Sequence, residues 1–303
     1  MIKTTAIRET GKVNENTTLL DINMMGVPGV TGLYLIESGK KCIIDGGTGT
    51  ESRKIIRQLK DLNFFPPDMI IITHSHWDHT QAIPLMLKKA EREGKNIKIF
   101  ASEKAIPNLR DQSFNDVFGV GPYTDIEADI NTLKENDTID LNGITLEIFD
   151  VPGHMNDHIA ILDTKNKNIF IGDALGDKVG DNFFIPAFMP PYWDKDAFLN
   201  SIEKLKKIDF NSISLAHFGY IYGDEAKNIL DESVSVFETW WNLYEENVDK
   251  LDDIDYMINK IIDEDILPKI ALKKFPEMLV NGVITWLGSG YRIYNDIPLP
   301  SEE

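Results

Sequence analysis

The sequence predicts an α/β domain over residues 1–224 and a helical extension over residues 225–303. Short apolar runs rich in β-branched residues alternate with segments that carry leucine and isoleucine at helical spacing, which is typical of strands alternating with helices. Several of these strands end directly at a histidine or an aspartate. Beyond about residue 224 the chain becomes acidic and helical in pattern.

Composition narrows the class of protein. The chain has 303 residues, of which 42% are hydrophobic and 26% are charged, as expected for a globular protein. Its net charge of −18 repels phosphate backbones, so we expect no nucleic-acid partner. The single cysteine, Cys42, excludes an internal disulfide and a cysteine-type zinc site, and we expect it to be a small buried hydrophobe. No apolar signal core or membrane-length apolar run is visible, so a cytoplasmic protein without a membrane partner is expected.

The first half of the chain alternates strand and helix patterns. We expect strands at 32–37 and 42–44 around a short turn, a helix over 51–62, a strand at 69–72, a helix over 82–93 and a strand at 97–101. Residues 17–24 form an apolar cluster with β character. Glycine, proline and aromatic residues predict a loop over 113–129.

The second half begins with a predicted hairpin over 138–151 around Asn142-Gly143. We expect strands at 159–162 and 168–172, then a long aromatic loop, a helix over 197–208 and a strand at 212–216. In the extension one helical face carries an aromatic stripe: Phe237, Trp240, Trp241, Tyr244 and Val248. We expect this stripe to pack on the core, with lining of a pocket as the alternative.

A histidine cluster lies at the end of the strand predicted at 69–72. Three of the chain's six histidines fall within Thr73–His79, together with Asp78. A buried strand holds such side chains rigidly at the rim of a sheet. Neutral imidazole and carboxylate are ligands of zinc and of non-haem iron. The cluster therefore predicts a metal site, and a histidine-rich polar turn is the alternative.

The same pattern occurs at four strand ends, namely at residues 74–79, His154, Asp173 and His217. If these ends lie on one edge of a sandwich, seven ligand groups converge, which is enough for two metal ions sharing one carboxylate. Asp45 also ends a strand, and it enters a glycine turn that it could simply cap.

These residues resemble a known family. The segments His74-x-His76-x-Asp78-His79, Pro152-Gly153-His154, Gly172-Asp173 and Ala216-His217 resemble the metallo-β-lactamase superfamily of metallohydrolases. The resemblance implies an αββα sandwich of two mixed sheets with metals at one edge. It implies that His74, His76 and His154 hold one metal, that Asp78, His79 and His217 hold the other, and that Asp173 bridges them.

The resemblance also implies supporting roles. Asp45 would orient the ligands from behind. His158 is the remaining histidine, for which we expect a structural hydrogen bond or one that supports a ligand, with metal binding as the alternative. Within the superfamily, 153–158 followed by 170–176 looks like the quinolone signal-response thioesterase group. Many members have glycines after the first motif, whereas this chain has Thr80-Gln81-Ala82-Ile83. This difference leaves the ligands unchanged but alters the protein surface beside them.

The implied activity is metal-dependent hydrolysis. Two divalent ions of zinc or iron, with manganese as a third candidate, lie roughly 3.5–4 Å apart, share a water and lower its pKa toward about 7. The hydroxide then attacks an electrophilic carbonyl or phosphorus, and Asp78 and Asp173 also relay protons. The chain has no Gly-x-Ser-x-Gly motif of a serine hydrolase. A small-molecule substrate and a homodimer are expected.

The aromatic loop after Asp173 bears on the substrate. Its aromatic residues are Phe183, Phe184, Phe188, Tyr192 and Trp193. If they face the metals, they form an apolar pocket suited to an acyl or aryl ester or thioester; packing in the core is the equal alternative. No basic cluster nearby indicates a site for a coenzyme phosphate. Carboxylic ester or thioester hydrolysis is therefore the predicted reaction, with phosphodiester hydrolysis as an alternative.

Two further functions stay open. Flavodiiron relatives share the implied fold, so a di-iron sensor or reductase that binds oxygen or nitric oxide is one alternative. Those relatives usually have a glutamate where His76 stands, which favours hydrolysis here. The other alternative is a regulatory protein that acts on a partner through its helical extension.

Overall fold

The computed structural model describes residues 5–181 and 183–300. Residues 1–4 and 301–303, which belong to the two predicted domains, lie outside the described residues.

The strands of the described part, in chain order, are β1 (Ala6–Ile7), β2 (Gly11–Lys12), β3 (Thr17–Asp21), β4 (Gly32–Glu37), β5 (Lys41–Ile44), β6 (Met69–Ile71), β7 (Lys98–Ser102), β8 (Ile130–Leu133), β9 (Thr138–Asp140), β10 (Thr145–Asp150), β11 (Ile159–Asp163), β12 (Asn168–Gly172), β13 (Asp177–Gly180), β14 (Phe183–Ile185), β15 (Ser212–Leu215) and β16 (Gly219–Tyr222).

The α-helices of the same part are α1 (Ser52–Asp61), α2 (Trp77–Thr80), α3 (Ile83–Arg92), α4 (Ile106–Arg110), α5 (Lys195–Leu205), α6 (Glu225–Glu246), α7 (Ile254–Asp263), α8 (Lys269–Leu272) and α9 (Glu277–Tyr294). Short 3-10 helices span Met24–Gly26, Glu103–Ala105, Gln112–Phe118 and Val248–Lys250.

The first sheet is built from the N-terminal half in the order β2-β3-β4-β5-β6-β7-β8. Its pairs are antiparallel up to β5 and parallel from β5 to β8. Because parallel strands end at the same edge of a sheet, Asp45 after β5 and Thr73 after β6 lie side by side there. This edge carries the histidine cluster.

The second sheet has the order β1-β16-β15-β12-β11-β10-β9. Its one parallel pair, β12 with β15, places Asp173 and His217 at a common edge. Two backbone hydrogen bonds join this edge to the first sheet: Ile159 N donates to Thr73 O at 2.9 Å, and Gly32 N donates to Ala216 O at 2.9 Å. The edges that carry the predicted ligands are therefore held together.

Apolar side chains fill three layers. Alternate residues of both sheets face each other in the middle, where Tyr34 packs on Phe170 with ring centroids 5.4 Å apart. The outer face of the first sheet packs against α1 and α3, and that of the second sheet against α5 and α6. The predicted αββα sandwich with C-terminal helices is confirmed.

The extension has no separate apolar core among the described residues. Phe237, Trp240, Trp241 and Tyr244 of α6 are buried in the cluster that covers the second sheet. Helix α9 then returns across the sandwich, where Trp286 Nε1 donates to Phe118 O at 3.1 Å. The extension therefore contacts both halves of the fold.

Some elements differ from the predictions. The aromatic loop predicted over 113–129 begins with the 3-10 helix Gln112–Phe118. The long loop after Asp173 contains the hairpin β13–β14, and β16 was not predicted. Strands of three or four residues are too short to carry a periodic signal in the sequence. Among the described helices, none combines the length and the apolar character needed to cross a membrane.

Candidate metal centre

The predicted ligands converge at the joined edges of the two sheets. They lie on four connections: after β6, after β10, after β12 and after β15. Within the described residues they form two groups whose ligand atoms lie within 4.8 Å of one another: His74, His76 and His154 in the first, and Asp78, His79, Asp173 and His217 in the second. Their metal-binding role stays a prediction, whereas their proximity is a property of the fold.

The first group consists of imidazoles that point at each other. His76 Nδ1 lies 3.1 Å from His74 Nε2 and 2.9 Å from His154 Nε2. The opposite ring nitrogens all meet oxygen atoms. His76 Nε2 donates to Pro190 O at 3.2 Å, and His154 Nδ1 donates to Ala187 O at 2.7 Å. His74 Nδ1 lies 3.1 Å from Thr73 Oγ1, whose hydroxyl donates to Asp45.

These contacts test whether a cation fits. A carbonyl oxygen only accepts, so the outer nitrogens of His76 and His154 carry the protons and their inner nitrogens carry lone pairs. The inner nitrogens, His76 Nδ1 and His154 Nε2, lie 2.9 Å apart, and their lone pairs repel each other unless a positive charge lies between them. Burial, helped by the neighbouring imidazoles, lowers the pKa of His74 well below its usual value, and burial lowers the pKa of His76 to about 3. Neutral imidazoles in this arrangement fit a divalent metal ion.

The second group is rich in negative charge. His79 Nε2 lies 3.0 Å from Asp173 Oδ2, and His217 Nε2 lies 3.0 Å from Asp78 Oδ2. Burial would lower the pKa of His217, but Asp173, Asp177 and Asp78 outweigh it and raise this pKa to about 10. The pKa of His79 is raised well above its usual value in the same way. The group therefore attracts positive charge, as a cation site must.

Asp173 lies between the two groups. Its Oδ2 atom is 3.0 Å from His79 Nε2, 3.5 Å from His217 Nε2, 3.7 Å from His74 Nε2 and 3.8 Å from His154 Nε2. Its other oxygen, Oδ1, is buried and has no hydrogen-bond partner within the described residues. This central placement suits a carboxylate shared by two ions.

Asp45 supports the histidine loop and the ring of His79 by hydrogen bonds from outside the two groups. It adopts a left-handed backbone conformation with φ 64° at the end of β5. Its Oδ1 accepts from Thr73 N at 2.8 Å, and its Oδ2 lies 2.9 Å from His79 Nδ1. Such an outer carboxylate fixes the tautomer and the ring direction of a ligand histidine. His217 has the equivalent support from the carbonyl of Val30, 2.7 Å from its Nδ1.

His158 lies behind the two groups and outside both of them. Its ring stacks on His74, with centroids 4.6 Å apart and planes 16° from parallel. Its Nε2 accepts from the backbone N–H of Asp173 at 3.2 Å. A Cβ atom at Gly172, where φ is 52°, would approach the His158 ring to 2.8 Å, so this packing requires glycine. His158 thus positions one residue of each group.

Sequence reasoning missed a buried carboxyl group that supports the histidine loop. Asp157 Oδ2 accepts from Ser75 Oγ at 2.5 Å, and Ser75 stands between two predicted ligands. Burial raises the pKa of Asp157. No strand-end signal distinguishes Asp157, because its role depends on a contact with a residue 82 positions away.

Five residues of the two groups, His76, Asp78, His154, Asp173 and His217, form the floor of a cavity whose walls are apolar. The extension supplies its roof. The described lining residues are Met24, Val30, His76, Trp77, Asp78, Phe118, His154, Asp173, Asp177, Val179, Phe183, Ile185, Pro186, Ala187, Met189, His217, Trp240, Leu267, Leu272, Phe275, Leu279, Val280, Val283, Ile284 and Trp286. Apart from the predicted ligands, the one ionisable side chain among them is Asp177.

The structure places the five aromatic residues of the predicted substrate pocket in different surroundings, and their role in substrate binding remains a prediction. Phe183 lines the cavity, but Phe184, Phe188, Tyr192 and Trp193 do not. Phe188 and Trp193 are buried in the core, where both pack on Phe237 of α6. Phe184 is also buried in that core, and Tyr192 is 39% exposed. Phe188 and Trp193 therefore attach this loop to α6.

Comparison with known proteins agrees with this geometry. A family model described as the metallo-beta-lactamase superfamily matches residues 27–217, which include all the predicted ligands. The chain is 28% identical over 179 residues to hydroxyacylglutathione hydrolase 1 of Vibrio vulnificus, covering 58% of this chain and 56% of that protein. It is 29% identical over 144 residues to ribonuclease Z of Clostridium botulinum, covering 42% of each.

The fold also has solved counterparts. A metallo-beta-lactamase family protein from Thermus thermophilus superposes with a TM-score of 0.58 at 18% identity, covering 94% of this chain and 95% of that one. The chain spans about half the length of the two relatives above, so their whole activities do not transfer directly. The family model covers more than half of the chain and its motif residues meet at one edge of the sandwich; the chain belongs to the metallo-beta-lactamase superfamily.

Proposed function

We propose that the protein is a hydrolase dependent on two divalent metal ions, acting on a carboxylic ester or thioester with an apolar acyl or aryl group. One observation carries the proposal: five residues from the two groups of potential ligands form the floor of a cavity with apolar walls. Such a cavity removes an apolar group from water and presents its carbonyl to the metals.

The charge of the cavity supports an uncharged acyl substrate over a phosphodiester. No lysine or arginine is among the described lining residues, so the phosphate of a phosphodiester would meet no protein cation there. The net charge of −18 opposes RNA, although a ribonuclease Z is among the relatives. The Vibrio relative is named for hydrolysis of an acylated glutathione, which is a thioester.

The chain's own residues supply orientation and proton transfer. When bound, two divalent ions would lower the pKa of water toward about 7 and polarise the substrate carbonyl. His74, His76 and His154 would hold one ion, Asp78, His79 and His217 would hold the other, and Asp173 would be shared by both. Asp173 Oδ1, which has no hydrogen-bond partner among the described residues, would accept a proton from the attacking water. The apolar roof excludes competing water.

The test is a substrate panel on protein loaded with zinc, iron or manganese. We expect aliphatic and aryl thioesters or esters to be hydrolysed faster than a lactone or a phosphodiester. Preference for a bis-aryl phosphodiester would contradict the proposal. A stable oxygen adduct of the iron-loaded protein, without hydrolysis of any substrate, would favour the di-iron sensor instead.

The closer relation to the quinolone signal-response thioesterase group is part of this proposal and depends on the segments 153–158 and 170–176. A small-molecule substrate, a homodimer, a cytoplasmic location and the absence of a nucleic-acid or membrane partner remain predictions. The division into domains at residue 224 also remains one.

A further inference from the structure

A buried carboxyl group links the two loops that carry the first ligand group. Asp157 follows His154 by three residues, and its Oδ2 accepts a hydrogen bond from Ser75 Oγ at 2.5 Å. Ser75 stands between His74 and His76. Each predicted ligand of the first group is therefore close in sequence to one end of this hydrogen bond.

Asn108 of α4 completes the link. Its Nδ2 donates to Ser75 Oγ at 3.1 Å and to Asp157 Oδ2 at 3.4 Å. The Ser75 hydroxyl thus accepts one hydrogen bond and donates another, which fixes its direction. Because Ser75 and Asp157 are both buried, water does not compete for these hydrogen bonds.

The carboxyl group of Asp157 is not explained by stability alone. A buried carboxyl group is unfavourable unless its hydrogen bonds compensate for the loss of water. Its second oxygen, Oδ1, has no hydrogen-bond partner among the described residues. An apolar side chain at this position would avoid that cost, so the contact with Ser75 indicates a role in placing the histidine loop.

The rings of the first group are oriented one by one, but their separation needs a link between the two loops. His76 Nε2 and His154 Nδ1 each donate to a backbone carbonyl group, which sets the direction of each ring. Apart from the contact between the facing ligand nitrogens, the Ser75–Asp157 bond is the one side-chain hydrogen bond that joins residues 73–79 to residues 152–158 within the described chain.

The second group is supported elsewhere. Asp45, on the other side of the histidine loop, contacts the ring of His79 directly. In the part of the chain that the structure describes, no residue of the second group forms a hydrogen bond with the side chains of Ser75, Asn108 or Asp157. The Ser75–Asp157 link therefore acts on the first group more directly than on the second.

We propose that Asp157 is a positioning residue for one of the two metal ions. Through Ser75 it sets the distance between the His74–His76 segment and His154, and so it controls the affinity for the ion of the first group alone. The inference rests on the proposed two-metal site and names a residue on which one half of that site depends. Loss of a hydrogen bond behind the ligands typically lowers metal affinity by about 10- to 100-fold.

The test is a cobalt titration of the metal-free full-length protein in competition with a chelator, which resolves two binding steps without any substrate. In Asp157→Leu we expect one dissociation constant to rise by about 10- to 100-fold and the other to change by less than a few-fold. The cobalt spectrum identifies the retained ion: it should match that of His76→Ala, which lacks a first-group residue, and differ from that of Asp78→Ala. Equal weakening of both ions, or of neither, would overturn the inference.

Further variants test the hydrogen bond itself. Asp157→Asn keeps an oxygen that accepts from Ser75, so its affinity for the first ion should stay within a few-fold of the wild type. Ser75→Ala removes only the hydroxyl group and should weaken the first ion as Asp157→Leu does, which keeps the test available if Asp157→Leu does not fold. In the double variant the two losses should not add, because both changes break one link. Additive losses would contradict that link.

Asp163→Leu is the matched control. Asp163 is also buried, lies at the opposite end of β11 and accepts from the backbone N–H groups of Lys165 and Asn166. Its loss should lower the melting temperature of the metal-free protein and leave both cobalt affinities unchanged. Selective weakening of the first ion in this control would show that Asp157 acts only through stability.

The outcome for the proposed function is separate. Two ions bound with the expected dependence on Asp157, but no hydrolysis of any ester or thioester, would refute the proposed function and retain the inference. Hydrolysis with both affinities unchanged in Asp157→Leu would refute the inference alone. A wild-type protein that binds a single ion would overturn both.

Discussion

The floor and the roof of the cavity are built in opposite ways. The floor consists of carboxylate and imidazole groups at the ends of four strands. The imidazole rings of the site are held from behind by a carboxylate, a hydroxyl or a carbonyl group. The roof consists of apolar side chains from 267–286 of the extension, which pack on each other and on the hairpin β13–β14. The floor depends on hydrogen bonds with fixed directions, whereas the roof depends on burial.

This difference assigns separate tasks to the two regions. Directional hydrogen bonds hold the ligand atoms in place, as metal chemistry requires. Apolar packing has little directional preference, so the roof can change shape and volume without disturbing the ligands. The two regions meet at Phe118, whose ring contacts His76 at 5.0 Å and Trp286 of α9 at 5.4 Å between centroids. We therefore expect changes to the floor to affect metal binding and all substrates, and changes to the roof to affect substrate choice.

The largest expected effect is on the floor. His76→Ala removes a proposed ligand of the first ion, and Asp173→Asn weakens the carboxylate proposed to be shared by both ions, so hydrolysis should fall to background for every substrate. Metal content measured by mass spectrometry should fall from two ions per chain, while circular dichroism should retain the signal of the folded protein. The control is Asp209→Asn, a surface position paired with Lys167. Full activity of either ligand variant would remove the basis of the proposed mechanism.

A change one step behind the ligands should have a smaller effect. Asp45→Asn leaves a single acceptor oxygen for groups that now use two, namely Thr73 N and Oγ1 and His79 Nδ1. Loss of such an outer carboxylate typically lowers metal affinity by about 10- to 100-fold. Competition with a chelating dye measures this affinity. Unchanged affinity would mean that the floor does not depend on support from below.

A change in the roof should act on substrate choice. Val283→Trp fills part of the cavity, so kcat/KM for an octanoyl thioester should fall by about 10- to 100-fold while an acetyl thioester is little affected. Thr285→Trp adds the same side chain to an exposed position of α9 and serves as the control. Metal content should stay at the wild-type level. Equal loss for both substrates would contradict the separation of floor and roof.

The pH dependence of metal binding tests the charge of the floor in the metal-free protein. The folded-state pKa of His217, about 10, lies above its ordinary value, so without metal the side chain is protonated at neutral pH and a metal must displace that proton. Affinity should therefore rise with pH, by about tenfold per pH unit for each proton released, up to about pH 10. Stability from the protonated form in the metal-free protein is full below the unfolded-state pKa and is lost as pH rises toward about 10.

Calorimetry in buffers of different ionisation enthalpy counts the protons released on metal binding. Release of at least one proton at about pH 7 supports the expected rise of metal affinity with pH. Binding without proton release would show that His217 is neutral in the metal-free protein.

The sequence by itself determined most of the floor. The strand before Thr73 and the residues that follow it are local patterns, and His154, Asp173 and His217 each follow a recognisable apolar run. The family resemblance implied that these residues meet at one edge of the sandwich. The parallel pairs β5–β6 and β12–β15 place the histidine cluster, Asp173 and His217 there. The role of Asp157 could not be predicted from local sequence, because its partner Ser75 is far away in the sequence.

The roof was decided by the tertiary structure alone. In the loop after Asp173 the sequence shows aromatic residues but not which way they point, and the structure turns Phe183 to the cavity and Phe188 and Trp193 to α6. Asp177 acquires its surroundings only when β14 and the extension close around it. Strand ends with ligand residues can be recognised locally because each depends on its own strand. An apolar wall depends on which distant helix covers it, and apolar side chains of similar size carry no information about that choice.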